Sequence, residues 1–486
     1  MMDLDRREVE PQDMSLPLVV DLDGTLILTD TVWESALVAC RHQPATLFAL
    51  PVWLRAGKAN LKHQLAKRAE IDVPGLPWNV PVLQWLVEQH ASGRKLFLAT
   101  GSDLHYAKRV MEHLDIFEDV LASADGHNLT GENKRAALVA RFGEGGYDYA
   151  GNSRDDLPVW RSAYRAIAVH LPIHLEKQVA IEIAKKFVRP EPRWHAWPKA
   201  MRLHQWLKNL LLFLPLLASH NLQPEIWTKA ALGYLAFGLC ASSVYLLNDL
   251  LDLRHDRHHP RKRQRPFASG RLPLVEGMLA APCLGIAAFG IAFALSPPFA
   301  LVLLGYYALT LVYSFVLKRI AMLDVMTLAG LYMVRILAGA ALTNIVPSFW
   351  LMSFAMFFFL CLASLKRYIE LVDLRTRREH KAKGRGYSVD DAPLVASQGA
   401  AAGHVAVLVL ALYINSREVW DLYHEPRWLW GICLLLLYWL NRSWWLAHRG
   451  KLHDDPVAYA FSDRSSRIIL LLVFGLLVLA TVHIPL

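Results

Sequence analysis

The stretch YLLNDLLDLRHDRHHPRKRQRPFASG, Tyr245–Gly270, begins as a membrane-grade apolar run and turns abruptly into acids, histidines and a block of bases. Within it Asn248, Asp252 and Asp256 follow at i, i+4 and i+8, a spacing that lines one face of a helix end. Membrane topology alone would explain the bases, and a solvated loop with i,i+4 ion pairs would explain some of the acids. Ionisable groups at membrane depth are expensive, however, and point to function. Acids on one face can hold Mg2+ through oxygen donors while neighbouring bases grip a diphosphate bridged to it.

Outward from this stretch the chain falls into two regimes. Hydrophobic residues make up 54% of 486, and 16 residues are Trp, more than a soluble protein carries. Residues 1–195 alternate polar and apolar segments, as a soluble domain does, and the excess begins near Trp206. Apolar stretches centred near residues 213, 239, 284, 307, 333, 356, 404, 436 and 476 predict about nine spans. Bases gather before the first of these and in the loops after the second, fourth, sixth and eighth, and are sparse in the loops between. The N-terminus and the basic loops are therefore expected on the cytoplasmic side of a bacterial inner membrane. The net charge of +9 sits in those loops, which suggests lipid headgroups and anionic ligands and argues against nucleic acid. Five cysteines lie far apart without a CxxC spacing, so neither a metal cluster nor a disulfide framework is expected. The acidic N-terminus lacks an apolar core, so no cleaved signal peptide is expected.

In the soluble part, LPLVVDLDGTLILTD (16–30) reads as a buried strand running out into Asp21, Asp23 and a Gly turn. That places carboxylates at the C-terminal edge of a sheet, where open α/β sheets bind ligands. KLFLAT (95–100) delivers Thr100 to the same kind of edge ahead of a helix whose first N–H groups could hold phosphate. Lys134 opens a helix in TGENKRAAL, and YDYAGNSRDDLPVW (147–160) is a third strand-to-turn element with Asn152, Asp155 and Asp156. Residues 31–72 are helix-rich and would form a small cap. Residues 175–188 show helical periodicity, after which Pro190, Pro192 and Pro198 break the chain and Trp194, Trp197 and Trp206 alternate with bases. These features place a boundary near 190, giving domains 1–190 and 191–486.

The four elements, in their order over residues 16–170, resemble the motifs of the haloacid dehalogenase-like phosphatases. The resemblance implies an α/β Rossmann-like hydrolase domain with a small helical cap. It makes Asp21 the phosphoryl-accepting nucleophile and Asp23 the general acid/base, with Thr100 and Lys134 on the phosphoryl oxygens. Mg2+ would be held by Asp21, the Asp23 carbonyl, Asn152 and Asp156. The family carries Asp where this chain has Asn152, whose carbonyl can ligate but adds no charge.

NDLLDLRHD (248–256) matches NDxxDxxxD, the first aspartate-rich motif of the UbiA-type intramembrane prenyltransferases. With MRLHQWLKNLLLFLPLLA (201–218), HPRKRQRPFASG (259–270) and RGYS (385–388), the chain resembles their decaprenyl-phosphate phosphoribosyltransferase branch. That implies an all-α membrane domain moving phosphoribose from 5-phosphoribosyl diphosphate to a polyprenyl phosphate in the bilayer. Asn248, Asp249, Asp252, Asp256 and Asp324 would hold Mg2+ and the diphosphate. Lys208, Lys262, Arg265, Lys318, Arg335, Lys366 and Arg367 would hold phosphates of donor and acceptor. Prenyl-transferring members carry a second DxxxD, of which only Asp324 remains here. The phosphatase half would then remove the 5-phosphate of the lipid product. Two alternatives stay open: a prenyltransferase using a prenyl diphosphate, and a membrane-anchored sensor whose phosphatase half is inactive.

Overall fold

The computed structural model describes residues 16–481 apart from 125, 190, 220–222, 381–384 and 453–455. Pro190, expected to break the linker, lies outside them, as do the loop residues Lys381, Lys383, Asp454 and Asp455. The chain folds as two compact units. One is the chain up to Met201 together with Tyr245–Ala281, and the other is Arg202–Val244 with Pro282–Leu486.

In the first unit the order is β1 (Leu18–Val20), α1 (Thr31–His42), α2 (Thr46–Arg55), α3 (Lys58–Ala66), α4 (Val80–Ala91), β2 (Leu96–Asp103), α5 (Leu104–Leu114), β3 (Asp119–Ser123), α6 (Glu132–Phe142), β4 (Asp148–Gly151), β5 (Ala166–Val169) and β6 (Ile183–Phe187). Six parallel strands lie in the order β3-β2-β1-β4-β5-β6. The two-residue period of a strand sorts β1 between two cores. Leu18 and Val20 join Val82, Leu86 and Val110 on one face of the sheet, while Val19 joins Leu138, Tyr149 and Trp160 on the other. The strand order reverses between β1 and β4, so the crevice for a ligand opens at their carboxyl ends. The expected cap is present as α1, α2 and α3; Asp30 caps α1 by accepting from the Val32 N–H at 2.8 Å.

Residues 175–188 correct the expectation of a helix. Ile183–Phe187 is instead the edge strand β6, paired with β5. Its half-buried Ile183, Lys185 and Phe187 alternate with exposed residues, and the Lys185 ammonium lies 4.9 Å from the Trp85 ring centroid. Alternation of period two, packed on a sheet edge, overrides the helical charge pattern.

In the membrane part, seven helices among the described residues are long and apolar enough to span. They are Pro224–Leu251, Leu274–Leu295, Pro297–Arg319, Leu323–Thr343, Phe349–Thr376, Val389–Ile414 and Arg464–Thr481. The expected nine are not confirmed among the described residues, because two of the stretches do not form long apolar helices. The stretch near 213 is a 3-10 segment, Leu203–Phe213, followed by the short helix Leu214–Ala218 with Pro215 in its first turn. The stretch near 436 does form a helix, Trp430–His448, but Asn441, Arg442 and His448 leave it less apolar than a span.

Candidate functional site

The first site is built where β1, β2 and β4 end. Asp21 follows β1 and is fixed by its N–H donating to the Ala150 carbonyl of β4 at 3.0 Å. Lys134, in the first turn of α6, donates its Nζ to Asp21 Oδ1 at 2.7 Å and to the Tyr149 hydroxyl at 2.9 Å, and lies 3.6 Å from Asp156 Oδ1. Tyr149 in turn donates to Asp156 Oδ1 at 2.7 Å. The other Asp156 oxygen accepts from the Asn152 and Ser153 N–H groups and the Ser153 hydroxyl, each at 3.0 Å. Asp156 therefore holds the β4 turn and also faces the lysine. Burial raises the Asp21 pKa, against the opposing pull of Lys134. Burial alone would lower that of Lys134, but Asp21 and Asp156 outweigh it and raise it.

Asp23 is oriented from two sides. Its Oδ1 accepts from the Thr31 N–H at 2.9 Å, and its Oδ2 accepts from the Ser102 hydroxyl. The Thr100 hydroxyl, fully buried, accepts from the Ser102 N–H at 3.0 Å. Burial pushes the Asp23 pKa up, with Asp30 adding to the rise. A raised carboxyl is what a group needs if it is to donate a proton as well as accept one. Gly24 has φ +76° and its Cβ would fall 2.0 Å from the Asn152 amide nitrogen, so only glycine allows the two turns to close on each other.

Structure thus brings Asp21, Asp23, Thr100, Lys134, Asn152 and Asp156 to one end of the sheet. It adds residues that the sequence did not single out. Lys62, from the cap helix α3, donates to the Gly101 carbonyl at 2.5 Å and to Asn128 Oδ1 at 2.7 Å. Burial lowers its pKa, against Asp23 and Asp30. Tyr149 was visible only as a strand aromatic, and nothing local announces Lys62.

The aspartate-rich segment lies where helix Pro224–Leu251 ends and a short helix, Leu253–His258, follows. Asp249 and Asp256 are both buried, and one nitrogen of Arg265 reaches Asp249 Oδ1 at 3.0 Å and Asp256 Oδ2 at 2.6 Å. The structure therefore pairs residues i and i+7, and the Asp252 N–H to Asn248 carbonyl bond of 2.9 Å carries the helical backbone between them. Burial raises the Asp256 pKa against the Arg265 charge. Lys262 lies in the 3-10 turn Lys262–Gln264 just before Arg265.

Part of the basic block serves the fold. Arg257 forks onto Glu34 of α1 with bonds of 3.0 and 2.5 Å, both side chains nearly buried, and also donates to the Ala268 carbonyl at 3.2 Å. His258 and Arg254 lie 3.3 and 3.7 Å from Asp72, and Arg41 donates to the Leu251 carbonyl at 2.8 Å.

In the other unit Asp324, fully buried, accepts from the Tyr313 hydroxyl at 2.8 Å. Its two oxygens pair with Arg367 at 2.6 Å and Arg385 at 3.2 Å, and Glu370 closes the group by pairing with both arginines. Arg335 is also buried; it donates to Asn209 Oδ1 at 2.9 Å and to the Tyr306 hydroxyl at 3.2 Å, and lies over the rings of Phe237, Tyr306 and Tyr332. Among the described residues its charge has no carboxylate within ion-pair distance. Lys208 stands 5.7 Å from the Tyr332 ring centroid. Lys318 lies in the turn Leu317–Arg319, and Lys366, half-buried, precedes Arg367 on Phe349–Thr376.

The model of the UbiA prenyltransferase family matches residues 210–471. The chain belongs to that family. An uncharacterized protein of Sinorhizobium fredii, y4nM, is 36% identical over 474 residues, covering 96% of this chain and 92% of that protein. Nodulation protein NoeC of Azorhizobium caulinodans is 38% identical over 292 residues, 58% of this chain and 92% of that one. The decaprenyl-phosphate phosphoribosyltransferase of Mycobacterium tuberculosis is 36% identical over 178 residues, 36% of this chain and 59% of its own length. A solved phosphoserine phosphatase structure covers 36% of this chain at 14% identity with a TM-score of 0.27. A UbiA transferase with seven candidate spans is an integral membrane protein.

Proposed function

We propose that this UbiA-family protein transfers phosphoribose from 5-phosphoribosyl diphosphate to a polyprenyl phosphate, and that its first unit then removes the 5-phosphate of the lipid product. The observation that carries the transfer reading is the state of Asp324. In place of a second acidic motif, Asp324 and Glu370 hold two guanidinium groups, Arg367 and Arg385. Such a pair suits an anionic acceptor whose oxygens replace a carboxylate, because planar guanidinium groups match phosphate geometry. Similarity to a decaprenyl-phosphate phosphoribosyltransferase supports the same substrate class.

Both sites suit Mg2+. It needs one or two carboxylates and otherwise takes carbonyl, water and phosphate oxygens. Asp249 and Asp256 approach closely enough to share one Arg265 nitrogen, and at the other site the Asn152 amide lies against Gly24, in the turn that follows Asp21 and the Asp23 carbonyl. The chemistry Mg2+ supplies, when bound, is neutralisation of charge on phosphate oxygens. Arg265 and Lys262 stand next to the acid pair to hold the departing diphosphate, and the buried Arg335 and the half-buried Arg385, the latter held by Asp324 and Glu370, are the cations for the lipid phosphate. That phosphate is already anionic, so it attacks the anomeric carbon without a strong general base. In the second step Asp21 attacks the 5-phosphoryl group while Asp23 protonates the leaving ribose oxygen, and Lys134 and Thr100 hold the phosphoryl oxygens; Asp23 then takes a proton from the water that hydrolyses the aspartyl phosphate, which frees Asp21 and inorganic phosphate.

The spans support an arrangement with the basic loops on the cytoplasmic face of a bacterial inner membrane. Two spans separate the loop of Arg254–Arg271 from Lys318 and Arg319, and two more separate those from Arg375–Arg385, so all three fall on one side. The test uses membranes holding the full chain, Mg2+, ribose-labelled donor and polyprenyl phosphate. The parent should yield labelled lipid without a 5-phosphate, and Asp21→Asn should accumulate the phosphorylated lipid. Labelling only from a prenyl diphosphate would overturn the transfer reading, and an unchanged product from Asp21→Asn would overturn the phosphatase reading.

A further inference from the structure

The cap helix α2 lacks the polar outer face that a helix on a soluble domain carries. Its sequence, TLFALPVWLR, has eight apolar residues of ten, counting Pro51. Leu50 and Trp53 point inward and pack with Ala36, Ala39 and Leu65 of α1 and α3. The opposite face, Leu47, Phe48, Pro51 and Val52, is open to solvent; Phe48 is 80% exposed and Val52 62%. Apolar positions at i, i+1, i+4 and i+5 form one continuous stripe on a helix. A helix apolar on both faces is ordinarily enclosed, by protein or by lipid. The exposed Val80, Val87 and Ile173 elsewhere in this unit stand singly and need no partner.

The charge around the stripe identifies its occupant. From Arg41 to Ala69 the chain has six Lys/Arg and two His and not one Asp or Glu. Arg41, Arg55 and Lys58 flank α2 directly and are exposed. An apolar stripe bordered only by cations is complementary to an anionic bilayer surface, with the side chains of the stripe below the headgroups and the bases among them. The rest of the chain places a bilayer in reach, since it carries seven candidate spans.

We propose that the outer face of α2 is a membrane-docking surface, partitioning into the headgroup region of an anionic bilayer. This assigns the cap a second task beyond covering the site: α3, which follows α2 after one glycine and one alanine, carries Lys62 to the Gly101 carbonyl beside Thr100. A cap held at the lipid surface presents the phosphatase crevice to a headgroup that remains attached to its tail.

The experiment uses the full chain in vesicles of phosphatidylglycerol and phosphatidylcholine, with Phe48 replaced by a photoreactive phenylalanine. Irradiation should give a lipid adduct at position 48, weaker in vesicles of phosphatidylcholine alone, and no such adduct when the same group replaces Val87. A protein–protein adduct at 48 that grows with protein density would show a second copy on this face and overturn the proposal, as would no adduct at all. A kinetic arm uses Phe48→Asp with Val52→Asp. The pair should raise KM for a phosphorylated lipid in vesicles and leave kcat on a soluble sugar phosphate unchanged. Equal effects on both substrates would count against docking. The crosslink is independent of the phosphatase reading, so a parent without turnover would remove that reading and leave the docking surface to be decided by the adduct.

Discussion

Among the described residues Lys134 is the ammonium set against the buried Asp21 and Asp156, at 2.7 and 3.6 Å. Without it, two carboxylates and the Tyr149 hydroxyl would share a dry site, and Asp21, already raised by burial, would take up a proton and could not serve as the proposed nucleophile. Lys134→Met should therefore abolish phosphate release from a soluble sugar phosphate while leaving labelled-lipid formation intact. Turnover near the parent level would place the phosphoryl-binding cation elsewhere, with Lys62 the next candidate. His170 gives a prediction of a different kind. It sits at φ +51°, and its pKa is lowered to about 4 by burial, with Arg189 and Arg193 adding to the fall. A base lowered in the fold is neutral there, while the unfolded chain takes a proton near its ordinary value of 6.5. Stability is thus full above that value and drains away as pH falls from it toward about 4. Asn tolerates the left-handed backbone, so His170→Asn should keep the fold and flatten this part of the acid limb. Thermal midpoints across that pH range would test it, and a parallel loss in the variant would show that other groups set the limb. Legibility differs sharply between these residues. Asp21, Asp23, Thr100 and Lys134 stand in short motifs that betray them. Lys62 reaches Asn128 across 66 residues, and Glu34 meets Arg257 across 223, with no local pattern at either end.

Elements were readable where one period dominates. β1, β2 and β4 are short apolar runs that end in Gly turns, and the cap announced itself by helical spacing. β6 was hidden because the adjacent Lys185 and Lys186, with the acids before them, mimic a charged helix face until the sheet edge is available to pair with it. The stretch near 213 has the composition of a span, but Pro215 and 3-10 geometry keep it from being one regular helix. The most consequential element-level finding is the clip between α1 and Leu253–His258. Arg257 and Glu34 are 7% and 5% exposed as side chains, and a buried bidentate pair broken on one side leaves an uncompensated charge. Arg257→Ala should cost about 3–5 kcal/mol of stability, and it should also lower lipid labelling because Asp256 is the adjacent residue. The exchange Glu34→Arg with Arg257→Glu should recover part of both losses. If labelling survives Arg257→Ala untouched while the melting point falls, the clip holds the fold and does not position the acid pair.

At the scale of the whole molecule the question is what one chain would gain by carrying both proposed chemistries. The aspartate-rich segment lies in the same compact unit as the crevice at the carboxyl ends of β1 and β4, tied there by Arg257, His258 and Arg41. Composition could not foretell these contacts, because a segment flanked by apolar spans carries no local sign of its ion pairs to Glu34 and Asp72. Tethering raises the effective concentration of a second site only if the product of the first stays near it. That condition can be measured. Vesicles at low protein density would hold either the parent chain, or an equal mixture of Asp21→Asn chains and Asp252→Asn/Asp256→Asn chains. The mixture has one working site of each kind per pair, but no chain with both. The parent should convert phosphoribosyl lipid to its dephosphorylated form with little accumulation of the intermediate. The mixture should accumulate it first and consume it later, at a rate that rises with chain density. Identical time courses would mean that the lipid equilibrates through the bilayer before hydrolysis. The fusion would then serve to keep the two activities in equal amount, and the ion pairs around Arg257 would be needed for folding alone.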